Sequence, residues 1–190
     1  MIITISGFSG VGKDVIAKRL SEIGYEFVIS HSTRPMRNGE SQGDPYHFIS
    51  FEKMMELRLK KQLLEMRSYH TLVGNLPKIW YYGLHKDTIQ PKKDYVVVLD
   101  LKGVVALKEH FGDRVKSLFI NVDDELRFIR ANNREENMDV VEWSRRLSDD
   151  LTNFTEEYIY KICDDVVTNN TTIDECFESV CNWIEHEKSL

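Results

Sequence analysis

Gly7, Gly12 and Lys13 stand in the spacing G-x-x-x-x-G-K, within the run Gly-Phe-Ser-Gly-Val-Gly-Lys at residues 7–13. An apolar run (Ile2, Ile3, Ile5) precedes it and a helix-period stretch (Ile16, Leu20, Ile23) follows, so the order is strand, glycine loop, helix. A loop of this kind wraps backbone N–H groups around a phosphate chain. It sets the partial positive charge of a helix N-terminus behind them and sends its lysine to the β- and γ-phosphates. Gly7, Ser9, Gly10, Val11, Gly12, Lys13 and Asp14 are therefore candidates for holding a nucleoside triphosphate. The residue after the loop lysine is normally Ser or Thr, whose hydroxyl binds Mg²⁺. Here it is Asp14, followed by Val15. A carboxylate is a good hard-oxygen ligand for the metal, and equally it favours a helix N-terminus through the macrodipole; both readings stay open.

A second anion site is suggested by Arg34 and Arg37, three residues apart with Pro35 between them, and by the phenol of Tyr46. Two guanidiniums and a hydroxyl hold a phosphate dianion through several charge-assisted hydrogen bonds. Arg130 and Arg134 lie one helical turn apart on one face, and Arg145 follows on the next segment. A closing lid can bring such a set onto a transferring group, although Glu135 and Glu136 also fit a solvated charged surface. Asp100 ends the apolar run Tyr-Val-Val-Val-Leu at 95–99, and an acidic residue at the carboxyl end of a strand faces the ligand crevice of an open α/β sheet.

Apolar runs at 2–5, 95–99 and 115–120, with shorter ones near 26–29 and 165–168, predict buried strands separated by helix-period segments. That alternation predicts a parallel sheet covered on both faces. Residues 30–84 break the rhythm with short, polar, aromatic-rich pieces around one helix (Phe51, Met54, Met55, Leu59). A charge-dense second insert at 123–150 continues into one long helix whose apolar positions are Val140, Trp143, Leu147, Leu151, Phe154 and Tyr158.

At 190 residues and 42% hydrophobic composition the chain is expected to form one domain. A net charge of −6 excludes non-specific coating of nucleic acid, which needs a surplus of basic residues. No apolar stretch approaches the length of a membrane span and no signal core precedes the first strand, so a soluble cytoplasmic chain without a membrane partner is expected. Three cysteines (Cys163, Cys176, Cys181) without CxxC spacing are expected to be reduced. The six histidines show no ligand spacing, so a structural metal is not indicated.

Residues 30–50 as a whole carry a pattern: a serine, then T-R-x-x-R-x-G-E at 33–40, a glycine, and Y-x-F-x-S at 46–50. It resembles the acceptor-binding signature of guanylate kinases. The resemblance continues through Leu63-Leu64-Glu65, Tyr82-Gly83, Leu99-Asp100 before Gly103, the arginines Arg130, Arg134 and Arg145 or Arg146, and Asp165–Asn169, and so covers nearly the whole chain. It implies an α/β P-loop kinase with a parallel sheet core flanked by helices, a mixed α/β acceptor-binding insert and a helical lid. The implied division is a single domain over 1–190, with core at 1–29, 85–122 and 151–190, insert at 30–84 and lid at 123–150. The implied activity is transfer of the γ-phosphoryl group of ATP, with Mg²⁺, to GMP or dGMP, by a monomer or homodimer. Arg34, Arg37, Tyr46 and Tyr82 would hold the acceptor phosphate. Glu65 would accept from guanine N1–H and the 2-amino group, with Ser30 near the base carbonyl and Asp100 in a polar role beside base or metal. Lys13, Arg34, Arg130, Arg134 and Arg145 would act on the transferring group, and Asp14 would be the metal-side residue.

Two departures from the family pattern stand beside Asp14. Leu84 falls where guanylate kinases generally carry Ser or Thr against the base, and the segment Thr71–Trp80 looks lengthened. They leave open the same donor chemistry on another acceptor, such as a different (deoxy)nucleoside monophosphate or ribose 1,5-bisphosphate. A non-catalytic guanylate kinase-like binding module is the further alternative.

Overall fold

A computed structural model describes residues 1–37, 39–73, 76–134 and 140–189, without the side chains of Leu72, Ala131, Asn132, Arg134 and Glu142. The side-chain role expected of Arg134 therefore lies outside the described residues.

Strand β1 (Ile2–Gly7) is buried along its whole length and leads through the glycine loop into helix α1 (Lys13–Glu22). The chain then runs through β2 (Glu26–Phe27), β3 (His31–Ser32), β4 (His47–Phe48), α2 (Phe51–Leu59), β5 (Leu63–Val73) and β6 (Leu76–His85). It returns through β7 (Tyr95–Val98), α3 (Leu101–Phe111) and β8 (Val115–Asn121). It ends with α4 (Asp124–Arg134), α5 (Val140–Asn153), α6 (Glu156–Ile162), β9 (Asp165–Thr168) and α7 (Ile173–Ser189).

The core sheet has the order β2-β7-β1-β8-β9, and every pairing in it is parallel. Period-two alternation sorts its side chains. Ile3 and Ile5 pack with Ile16 and Leu20 of α1 and with Val180 and Trp183 of α7, whereas Ile2 packs with Val104 and Leu107 of α3. Each such residue contributes about 1.5–3 kcal/mol when fully buried, and the layer holds the mouth of β1 rigid beneath the glycine loop. Among the described residues no helix is long and apolar enough to cross a membrane, and all three cysteines are free.

The insert is a second sheet of order β4-β3-β6-β5. Its long hairpin pairs Arg67 with Tyr82 and continues to Val73 opposite Leu76. The lengthening expected near Thr71–Trp80 is thus absorbed as extra strand rather than as a longer loop.

The long helix expected from Val140 to Tyr158 is instead two helices. Thr155 caps α6, its hydroxyl accepting the Tyr158 N–H at 3.3 Å, and a threonine in this position satisfies a helix start that spacing alone does not reveal. Leu151, one of the expected apolar positions, is 65% exposed, while Phe154 turns into an aromatic cluster with Phe8 and Phe119.

Candidate active site

Gly7 sits at φ 153°, and a Cβ there would come within 2.4 Å of the Ile120 carbonyl oxygen, so the loop leaves the sheet where only glycine fits. Gly12, at φ 94°, is the left-handed residue that starts α1. Lys13 Nζ donates to the carbonyl oxygens of Gly7 (2.8 Å) and Phe8 (2.7 Å). Burial lowers its pKa, while Asp14 and Asp150 act in the opposite direction and Arg127 adds to the lowering.

Beneath the loop lies a buried ion pair without a spacing signal in the sequence. Asp150 accepts the Ser9 N–H at 2.8 Å and the Ser9 hydroxyl at 3.4 Å. Arg127, with a side chain 2% exposed, donates to Asp150 (2.8 Å), to Asp124 (2.7 Å) and to the Ser9 carbonyl (3.3 Å). Its guanidinium also stacks 4.4 Å from the Phe8 ring centroid. Burial raises the pKa of Asp150, against the pull of the Ser9 N–H, Lys13 and Arg127. A loop amide suited to an anion is thus occupied by a carboxylate from α5.

A donor-side cavity of about 470 Å³ opens at the loop and is walled by Asp14, Arg37, Arg130, Trp143 and Arg146. The structure therefore gathers arginines from the insert, α4 and α5 around Lys13. The neighbouring pair on α5 divides: Arg146 lines this cavity, whereas Arg145 pairs with Asp149 and donates to the Tyr69 hydroxyl at 3.2 Å. Arg130 donates to the Thr171 carbonyl at 3.4 Å. Asp14 is exposed in the first turn of α1. Its carboxylate, on the wall of a cavity sized for phosphates, suits Mg²⁺, which is usually held by one or two carboxylates plus substrate oxygens and water. No group of three or more His, Cys, Asp or Glu able to hold a metal occurs among the described residues.

A second cavity, of about 660 Å³, runs from Lys13 and Asp150 past Tyr46 and Tyr82 to Glu65 and Asp100. Arg34 stands beside Tyr46, bound in a fork to Glu40 at 2.7 and 2.6 Å and lying 5.1 Å from the ring centroids of Tyr46 and Phe48. Arg34 in turn holds the Glu40 carboxyl below its usual range. Tyr46 and Tyr82 meet edge to face at 5.4 Å, and burial pushes the Tyr46 phenol up to about 12.

At the far end of the cavity from Lys13, Glu65 is buried and ion-paired with Arg67, which also reaches Asp100. Burial raises the Glu65 pKa, with Arg67 opposing and Asp100 adding to the rise. Ser30 is buried, its carbonyl accepts the His47 N–H at 3.0 Å, and it is absent from this cavity's wall. Leu84 is also absent from the wall. It is fully buried in the core cluster with Val28, Ile89 and Val97.

Arg67, Arg127 and Asp150 are the residues that sequence reasoning missed. Arg67 was within reach, since it stands two positions from Glu65 on a strand and so shares its face. Arg127 and Asp150 are 23 positions apart and no local period joins them.

The family model for guanylate kinase matches residues 1–187. Guanylate kinase of Helicobacter hepaticus (strain ATCC 51449 / 3B1) is 29% identical over 195 aligned positions, spanning 98% of this chain and 92% of its own length. That of Lactococcus lactis subsp. lactis (strain IL1403) is 28% identical over 174, spanning 88% and 81%. The crystal structure of guanylate kinase from Anaplasma phagocytophilum superposes with a TM-score of 0.67 at 22% identity, over 98% of this chain and 85% of that one, which shows the common fold. Matched along almost its entire length, the chain belongs to the guanylate kinase family.

Proposed function

We propose that this chain transfers the γ-phosphoryl group of MgATP to GMP or dGMP, giving the nucleoside diphosphate and ADP. The observation that carries the reading is the single cavity that has Lys13 at one end and Glu65 with Asp100 at the other, with Tyr46 and Tyr82 between them. ATP enters on the loop, with its phosphates beside Lys13, Arg37, Arg130 and Arg146. The acceptor phosphate lies against Arg34, Arg37, Tyr46 and Tyr82, and its base lies against Glu65. The chain works as one domain, with the core carrying the donor, the insert at 30–84 the acceptor, and α4 with α5 forming the lid.

The acceptor phosphate has a second pKa of about 6 and is largely dianionic at pH 7, so no general base is required. One of its oxygens attacks the γ-phosphorus while the bond to the β,γ-bridging oxygen breaks, and the electron pair leaves on ADP. The protein's task is alignment and the cancelling of repulsion between two polyanions. Lys13 and the cleft arginines supply fixed positive charge where negative charge develops. Asp14 would hold Mg²⁺ brought with ATP, and the ion would supply charge neutralisation to the phosphate chain. Glu65 accepts from N1–H and the 2-amino group, adjacent donors that adenine does not present.

The test is steady-state ADP production from MgATP with GMP, dGMP, AMP, UMP and ribose 1,5-bisphosphate offered side by side. Turnover confined to GMP and dGMP is expected. Turnover confined to the sugar phosphate or to another base would overturn the acceptor assignment, and no turnover with any acceptor would favour a binding module.

A further inference from the structure

Arg67 occupies the base end of the acceptor cavity, between two carboxylates. Its Nε donates to Glu65 Oε2 at 2.7 Å and its Nη1 lies 3.1 Å from Asp100 Oδ2, with the Arg67 side chain 18% exposed and that of Glu65 4%. A guanidinium tied at two of its nitrogens is fixed in both plane and aim. Two atoms of the cluster remain unused. Glu65 Oε1 is buried with no hydrogen-bond partner among the described residues, and Arg67 Nη2 donates to none of them.

What remains is therefore one acceptor and one donor, carried by two side chains already bonded to each other. Nη2 lies on the same edge of the guanidinium as Nε, which places its free N–H on the Glu65 side. The Watson–Crick edge of guanine presents the complement, O6 as an acceptor directly beside N1–H as a donor. Adenine presents the reverse order, a 6-amino donor beside the N1 acceptor. Arginine donating to guanine O6 is also a common specific contact in guanine recognition.

We propose that Arg67 is a specificity-determining residue that donates from Nη2 to the 6-oxo oxygen of the acceptor base, in the plane in which Glu65 Oε1 accepts from N1–H. This rests on the guanine-nucleotide reading above. In the alternative role Arg67 only holds Glu65 and Asp100 in place and never touches the base. A tie of that kind acts through N1–H and the 2-amino group, and so alike on guanine and its 6-thio analogue, whereas a donor to O6 is sensitive to the identity of the atom at position 6.

The experiment compares GMP with 6-thio-GMP as acceptors for the full-length wild type, Arg67→Leu and Arg67→Lys. The thio analogue keeps N1–H and the 2-amino group but replaces O6 with a weaker, larger acceptor. A hydrogen bond from a charged donor is worth about 10- to 100-fold, so the wild type should favour GMP by about tenfold in kcat/KM. Arg67→Leu should lose GMP efficiency mainly through KM and bring the two acceptors within about twofold of each other, with the KM for ATP unchanged. Arg67→Lys should recover part of the preference.

An Arg67→Leu enzyme that slows with both acceptors while keeping their ratio would overturn the proposal, as would a wild type indifferent to the sulfur. If Arg67→Leu does not fold, the wild-type ratio and Arg67→Lys decide. Lack of wild-type turnover with GMP itself would instead sink the guanine-nucleotide reading, so the two failures are distinguishable.

Discussion

The donor loop and the acceptor pocket each set an arginine among carboxylates, yet they leave it in different states. Arg127 spends all three of its nitrogens on Asp124, Asp150 and the Ser9 carbonyl, and Asp150 uses both of its oxygens on the loop and on Arg127. Arg67 and Glu65 are bonded to each other but, among the described residues, keep one donor and one buried acceptor unmatched. A closed network holds a shape, because any ligand would have to displace a bond already made. An open one is unstable by the cost of its unmatched atoms, about 1–3 kcal/mol for a buried acceptor, and a ligand that completes it recovers that cost.

The comparison can be broken most severely at the donor end. Lys13→Ala should lower kcat by about a thousandfold or more with the circular dichroism spectrum unchanged; near-normal turnover would remove the loop from the reaction. Arg127→Met leaves Asp150 buried without its cation and should cost about 3–5 kcal/mol of stability, read from urea unfolding. A midpoint equal to wild type would mean that the network beneath the loop carries no load. Arg34→Ala, at the acceptor phosphate, should raise the GMP KM by about 10- to 100-fold while the KM for ATP stays put, and an unaltered acceptor KM would count against the second phosphate site.

Acid sharpens the contrast further. Burial raises the pKa of Glu65, so acidification protonates the base-reading carboxylate at a higher pH than an ordinary glutamate. The KM for GMP should climb as pH falls through that raised value. The smallest effect concerns His31, whose pKa is lowered from 6.5 by burial and then by His47 and His85. For a base whose folded pKa is depressed, the unfolded chain binds more protons, so stability is intact above 6.5 and declines as pH falls below it. Unfolding midpoints at pH 7.5 and about 5.5 should differ in the wild type and differ less in His31→Phe.

Features written as short-range spacing were legible in the sequence. The glycine loop needs Gly7, Gly12 and Lys13 within one turn of chain, and Arg34, Arg37 and Tyr46 lie within one stretch of the insert. The central strands β1, β7 and β8 are legible because near-continuous burial leaves continuous apolar runs, while the partly exposed edge strands β2 and β9 leave only shorter ones. The break before α6 was missed because Leu151, Phe154 and Tyr158 keep helical spacing across a threonine cap. Leu84 pointed to an altered base pocket because it falls where the family pattern carries Ser or Thr. The irregular register between Leu63 and Glu65 sits opposite it, and the side chain is in the core. The ion pair of Arg127 with Asp150 is a product of tertiary folding, and only three-dimensional placement discloses it.

Adjacent aspartates on α5 have a thermodynamic consequence. Asp150 grips the loop through Ser9, and Asp149, one residue earlier, holds Arg145, which reaches Tyr69 on the acceptor strand. Because both contacts hang from one turn of helix, a nucleotide phosphate that took the Ser9 amide from Asp150 would disturb the turn that also holds Arg145 against Tyr69. Such a disturbance would couple the two ligands, and equilibrium linkage then requires that whatever factor ATP applied to the acceptor's Kd, the acceptor would apply to the Kd of ATP. Titrating each ligand in the presence and absence of a non-reactive analogue of the other would return that shared factor, and Asp149→Ala should bring it toward one.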